Sequence, residues 1–154
     1  MRKVIGIGET ILDIIFKNEQ PTAAKPGGST FNSMITLGRL GVNTEFISEV
    51  GRDRLGKQIK EFLAENNVKA DNVYDYDGGK TALSLAFLDE NMNADYLFYK
   101  NDAAQKLDYV MPKIEENDII VIGSFFSIND ALRENLTYLL DEAKRKKAII
   151  YYDV

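Results

Sequence analysis

Four short runs of aliphatic and β-branched residues constrain this chain more than any other feature. They are residues 3–7 (KVIGI), 44–50 (TEFISEV), 118–123 (DIIVIG) and 148–154 (AIIYYDV). Runs this short and this apolar suit strands covered on both faces, the usual state in parallel sheets. The segments between them carry helical spacing. Residues 31–40 form one such segment. Residues 55–66 place Leu55, Ile59, Phe62 and Leu63 on one stripe, and 129–146 do the same with Leu132, Leu136, Leu139, Leu140 and Ala143. Strands alternating with helices predict an α/β fold, a parallel sheet joined by right-handed crossovers. The length of 154 residues allows one domain with a real core.

Composition removes several chemistries. The chain has no histidine and no cysteine, which excludes a serine-type triad, thiolate catalysis, disulfides and most zinc sites. Acid–base work would fall to Asp, Glu, Lys or Tyr. A net charge of −5 argues against nucleic acid as a partner. No apolar run approaches the ~20 residues that span a bilayer, so no membrane partner is expected. Gly6, Gly8 and Glu9 break the first apolar run, which reads as a strand rather than a signal peptide. A cytoplasmic location is the expectation.

The chemistry concentrates in residues 26–41, PGGSTFNSMITLGRLG. Gly27 and Gly28 stand directly before a helix and allow a ligand to approach the backbone. Ser29 or Thr30 is expected to cap that helix, and Asn32 lies on its first turn. Free N–H groups, a helix N-terminus and one amide suit a polyhydroxylated or anionic ligand. Gly8-Glu9-Thr10 turns the chain at the C-terminal end of the first strand, where open α/β sheets place ligands. The third glycine of a dinucleotide fingerprint is missing there. Residues 11–16 are strand-like but hold Asp13, a carboxylate that must face water, a partner or a ligand. Residues 81–88 and 94–99 read as a hairpin around the polar turn 89–93, apolar on both faces. Such a hairpin cannot bury two apolar faces by itself.

Gly27, Gly28, Asn32, Gly41, Gly51, Asp53 and Gly56 fall in the register of Gly-Gly-x-x-x-Asn followed by Gly-x-Asp-x-x-Gly. On those residues the chain resembles the ribokinase-like (PfkB) family of carbohydrate kinases. Thr30 and Met34 depart from it, standing where smaller residues are usual. The resemblance implies a three-layer ribokinase-like sheet flanked by helices, with a small β lid from about residues 11–25 and 81–100. It covers all of residues 1–154 but only the N-terminal half of the family's fold, so the C-terminal half is expected to be absent from this chain. Gly51 and Asp53 are expected to be structural, Asp53 as the cap of the helix 55–66.

The resemblance further implies ATP-dependent phosphorylation of a sugar hydroxyl by the full-length protein, with ATP and Mg2+ as cofactors. This chain would supply the sugar-binding half. The implied substrate contacts are Asp13, Gly27, Gly28, Ser29, Asn32, Phe98 and Lys100, although Lys100 reads equally well as a solvated lysine. A homodimer through the lid hairpin is also implied. The family's glycine-rich segment with the catalytic base and nucleotide site has no counterpart here. No catalytic, nucleotide-binding or metal-binding residue is therefore expected in this chain, and alone it should not transfer phosphate. Two alternatives remain: a non-catalytic sugar- or nucleoside-binding module, or a nucleoside kinase with an aromatic pocket near Phe98, Phe125 and Phe126.

Overall fold

The computed structural model describes residues 2–100, 110–123 and 125–153. Its main sheet is built from β1 (Lys3–Ile7), β4 (Asn43–Gly51), β5 (Val68–Lys69), β6 (Val73–Tyr76), β9 (Ile119–Gly123) and β10 (Ile149–Asp153). The spatial order is β10-β9-β1-β4-β5. β6 lies alongside the later part of β4, pairing Ser48 with Val73 and Gly51 with Tyr76. Every pairing in this sheet is parallel.

Alternation along the strands divides the core into two. Val4, Phe46 and Val50 point to one face, against α1 (Ser29–Arg39) and α2 (Arg54–Glu65). Ile5, Ile7, Ile47, Ile120 and Ile122 point to the other, against α3 (Arg133–Arg145) with Leu136, Leu139 and Ala143. The result is three layers, because strands apolar on both sides must be covered on both sides. α1 carries a stripe of Thr30, Met34 and Gly38, all buried. Met34 and Thr30 sit over the side-chain-free positions Gly6 and Gly8. A Cβ on Gly6 would lie 2.5 Å from the Met34 Cγ, and one on Gly8 would lie 2.8 Å from the Thr30 Cβ. The two departures from the family pattern thus fill the notches left by Gly6 in β1 and by Gly8 just past its end.

A second sheet stands at one end of the first. It comprises β2 (Ile11–Lys17), β3 (Gln20–Gly27), β7 (Leu83–Leu88) and β8 (Ala94–Tyr99), in the order β3-β2-β7-β8. The central pair β2–β7 is parallel and the outer pairs are antiparallel. The expected lid segments therefore form one continuous sheet. Phe16 and Phe87 stack across it, ring centres 4.7 Å apart. On β8, Tyr96, Leu97, Phe98 and Tyr99 are each about half exposed.

Three expectations change, and one short strand is added. Neither Ser29 nor Thr30 caps α1. Gly28 occupies the cap position at φ 128°, where no side chain supplies a bond, and the Thr30 hydroxyl is buried against Gly8 without a hydrogen-bond partner. The helix expected from residue 129 starts at Arg133, because Asn129 caps the Ala131 N–H and residues 130–132 take a tighter 3-10 turn. The two-residue strand β5 was not legible as a strand, being too short to show a period. β10 was expected to be buried, yet Ile149, Tyr151 and Tyr152 are exposed. It is the edge strand of the described sheet, paired on one side only, with β9.

Candidate functional site

The crossovers that follow the neighbouring strands β1 and β9 run to opposite faces of the sheet, β1 to β4 through α1 and β9 to β10 through α3. β4 lies on one side of β1, reached through α1, and β9 lies on the other. A crevice opens where neighbouring strands lead away to opposite faces, at their C-terminal ends, and ligands bind there in open α/β sheets. A cavity of about 40 Å³ occupies that position, lined by Glu9, Thr10, Glu49, Tyr76, Ala82, Lys100 and Phe126. Glu9 and Thr10 follow β1, Glu49 and Tyr76 lie near the ends of β4 and β6, Ala82 precedes β7, Lys100 follows β8 and Phe126 follows β9. Both sheets contribute, so the second sheet forms one wall.

Gly27 and Gly28 adjoin this cavity. The Thr10 hydroxyl donates to the Gly27 carbonyl at 3.3 Å. A Cβ on Gly28 would lie 2.4 Å from the Glu9 carbonyl oxygen, and one on Gly27 would lie 2.3 Å from an Asp13 carboxylate oxygen. Gly28, at positive φ against backbone, admits only glycine, while a side chain at Gly27 would displace the Asp13 carboxylate. Asp13 faces β7, where its Oδ1 accepts from the buried Ser84 hydroxyl at 2.5 Å. Asn32 donates its backbone N–H to the Gly28 carbonyl at 2.9 Å, and its side chain is exposed on the first turn of α1, as is that of Ser29. Asp13, Gly27, Gly28 and Asn32 are thus gathered around one loop. Of the seven expected contacts, only Lys100 lines the cavity itself.

Lys100 is not simply solvated. Its Nζ lies 2.8 Å from Glu9 Oε2 and 5.5 Å from the centre of the Phe98 ring. Phe98 is otherwise exposed and does not reach the cavity. Phe126 does reach it, while the side chain of Phe125 lies outside the described residues.

The floor of the cavity is acidic and firmly held. Glu49 is 9% exposed. The Tyr76 hydroxyl donates to the Lys80 carbonyl at 2.7 Å. Burial, and then the negative charges of Glu49 and Asp53, push the Tyr76 pKa up to about 12. Behind it Asp53 caps α2 through the N–H groups of Leu55 and Gly56 and also accepts from the Thr81 N–H and hydroxyl. Burial alone would raise its pKa, but these four bonds outweigh it and hold the carboxyl below its usual range. Asp53 is structural, as expected.

The sequence placed Glu9 and Thr10 at the ligand-binding end of the first strand without a role for either side chain, and it passed over Glu49, Tyr76 and Ala82. Glu49 shares its strand with a second carboxylate, Glu45, and with Thr44 and Ser48, so its segment did not single it out as Asp13's did. A second, larger depression of about 390 Å³ lies beside β6. Its Lys60 and Asp75 are paired with each other at 2.7 Å, and it lies outside the switch-point crevice. Among the described residues no group of three or more acidic side chains could hold a metal ion, and no helix is long and apolar enough to cross a membrane.

The three layers and the second sheet standing over the switch point define a ribokinase-like fold. The model of the pfkB family carbohydrate kinases matches residues 1–154, and the chain belongs to that family. It is 28% identical over 163 residues to probable fructokinase-6, chloroplastic, of Arabidopsis thaliana, covering 97% of this chain and 42% of that protein. It is 27% identical over 161 residues to a fructokinase of Solanum tuberosum, covering 97% of this chain and 50% of that protein. An uncharacterized sugar kinase from Pyrococcus horikoshii superposes with a TM-score of 0.84 at 25% identity, over 99% of this chain and 52% of that one. The same kinase has been solved in complex with ATP. The chain thus spans about half the length of the relatives it matches.

Proposed function

We propose that this chain supplies the sugar-binding half and the lid of a kinase that phosphorylates a sugar hydroxyl, with ATP as the phosphoryl donor and Mg2+ as its counterion. The observation that carries the reading is the contact chain Asp13–Gly27–Thr10, which ties the glycine loop to the switch-point cavity. Asp13, the loop backbone and the Asn32 amide offer both acceptors and donors for sugar hydroxyls. The second sheet would exclude water, a competing acceptor for the phosphoryl group. Lid closure and dimer formation would also cover the exposed aromatic residues of β8, which is our basis for a homodimer through this sheet.

ATP would supply the transferred phosphoryl group. Two glycine loops open helices in the sequence, Gly27–Gly28 and Gly51–Gly56; the first we assign to sugar, and in the second the Leu55 and Gly56 N–H groups are taken by Asp53 rather than offered to a triphosphate. The chain's own residues would bind and orient the acceptor, leaving the base and the phosphate cradle to the remainder of the fold. The test is calorimetric titration of the 154-residue protein with a panel of neutral sugars, beside a coupled kinase assay with Mg-ATP. Sugar binding without turnover is the expected result. Turnover on the order of 1–100 per second would overturn the division of labour, and no sugar binding would overturn the site. A nucleoside acceptor draws support from Phe126 alone. The exposure of Phe98 favours the sugar.

A further inference from the structure

The chain passes between the main body and the second sheet at residues 8–10, at Gly28 and at residues 77–82. The first passage follows the β1–β4 pairing as far as Gly8, whose N–H donates to the Ile47 carbonyl at 3.3 Å. It is tied to the second by the bond from the Thr10 hydroxyl to the Gly27 carbonyl. The third is fastened at one residue, Thr81, which is 3% exposed. Its N–H donates to Asp53 Oδ2 at 2.8 Å and its hydroxyl to Asp53 Oδ1 at 2.7 Å, while its Oγ1 accepts from the Gly51 N–H at 3.1 Å. Gly51 and Gly56 make the seat, since a Cβ on either would press on Thr81. Bonds to a carboxylate are about twice as strong as neutral ones, and this carboxylate is itself held by the first turn of α2.

We propose that Thr81, seated on Asp53, is a positioning residue that sets the second sheet, and with it Asp13, at its working place over the body. The inference rests on the sugar-binding reading above and deepens it. The residues that follow Thr81 carry the argument. Ala82 lines the cavity, and its carbonyl accepts from the Leu12 N–H at 3.0 Å, which brings the β2–β7 pairing up to the fastening point. Ser84 is the register partner of Asp13 and donates to its carboxylate. A shift at Thr81 therefore moves Ala82, Ser84 and Asp13 together, relative to α1 and the strand ends of the body. Misplacing a binding group by about 1 Å can cost on the order of a hundredfold. Thr81 touches no ligand in this scheme and acts through Asp13. Its hydroxyl is separable from the helix cap, because the Leu55 and Gly56 N–H groups reach Asp53 without it.

The chain has no cysteine, so a pair of spin labels can be attached through Glu65→Cys on α2 and Glu90→Cys in the turn between β7 and β8, both exposed positions. The label-to-label distance distribution is measured with Thr81 intact and in Thr81→Val and Thr81→Ser. Valine keeps the shape and removes the hydroxyl, while serine keeps the hydroxyl. Melting curves establish folding, and Thr81→Ala replaces Thr81→Val where the latter does not fold. The expected result is one narrow distribution with threonine or serine, and a shifted or broadened one with valine. Calorimetric titration with D-fructose should show affinity about tenfold weaker in Thr81→Val, the size of one lost bond to a charged group, and close to wild type in Thr81→Ser. A purely structural role would lower the melting temperature and leave the distance where it was, which would overturn the inference. So would a serine variant that behaves like valine, or a displaced sheet with unchanged D-fructose affinity. If wild type binds no sugar, the sugar-binding reading fails, while the distances still decide whether Thr81 places the sheet.

Discussion

The carboxylate of Asp13 and the hydroxyl of Ser84 meet at 2.5 Å across the β2–β7 pairing, where the two residues are direct partners in register. Ser84 is fully buried, so the bond fixes one Asp13 oxygen and leaves the other beside Gly27. A carboxylate held this way is pre-oriented toward the glycine loop. In a full-length active form, Asp13→Asn should raise the sugar KM about ten- to a hundredfold, since a hydrogen bond to a charged group is worth roughly 1.5–3 kcal/mol. Nucleotide affinity should hold. A KM for ATP that rises in parallel would place Asp13 elsewhere in the mechanism.

Met34 and Gly6 form a size-complementary pair. Gly6→Ala forces its methyl into the Met34 side chain and should cost about 1–3 kcal/mol by overpacking. Met34→Ala should cost roughly 2–5 kcal/mol by leaving a cavity. The double variant should be more stable than the sum of the two losses implies, because each change relieves the other. Urea unfolding of the four proteins measures the coupling. Strict additivity would mean that the helix moves away from the strand instead of the side chains clashing.

Asp53 links the cap of α2 to Thr81, which leads into β7. Asp53→Ala should destabilise the fold by about 2 kcal/mol or more, a lost cap together with lost charge-assisted bonds. The sign with pH follows from a carboxyl held lower in the folded state than its usual 3.8. Its contribution is complete above that value and is lost as pH falls through the depressed folded pKa. The gap between wild-type and Asp53→Ala urea midpoints should therefore be constant from neutral pH to about 5 and close under strongly acid conditions. A gap that widens on acidification would contradict the assignment.

The exposed residues of β8 predict association. Tyr96 and Phe98 stack on one face, 5.7 Å apart, and Leu97 and Tyr99 occupy the other. Analytical ultracentrifugation should show a dimer that Leu97→Asp shifts toward monomer, with the melting curve of the body little changed. A wild-type monomer at every accessible concentration would remove the lid from the interface.

Much of the architecture was legible locally. The runs at residues 3–7 and 118–123 are largely apolar on both faces, and such strands are stable between helical layers. The stripe of α2 and its Asp53 cap were readable because both depend on neighbours within a few residues. The glycine pair, Asp13 and Asn32 could be singled out for the same reason, each being anomalous in its own segment. Tertiary structure decided the rest. Glu9, Glu49, Tyr76 and Lys100 lie far apart along the chain, and only the parallel packing of β1, β4 and β6, with the end of β8 brought over them by the second sheet, gathers them at one crevice. Lys100 changed from a surface cation into a cavity wall because β8 ends opposite Glu9. Gly28 became the cap of α1 because the Glu9 carbonyl leaves no room for a Cβ there. The exposure of β10 was likewise invisible in its composition. Hydrophobic periodicity reports that a strand needs cover, while the order of strands in the sheet determines which neighbours provide it.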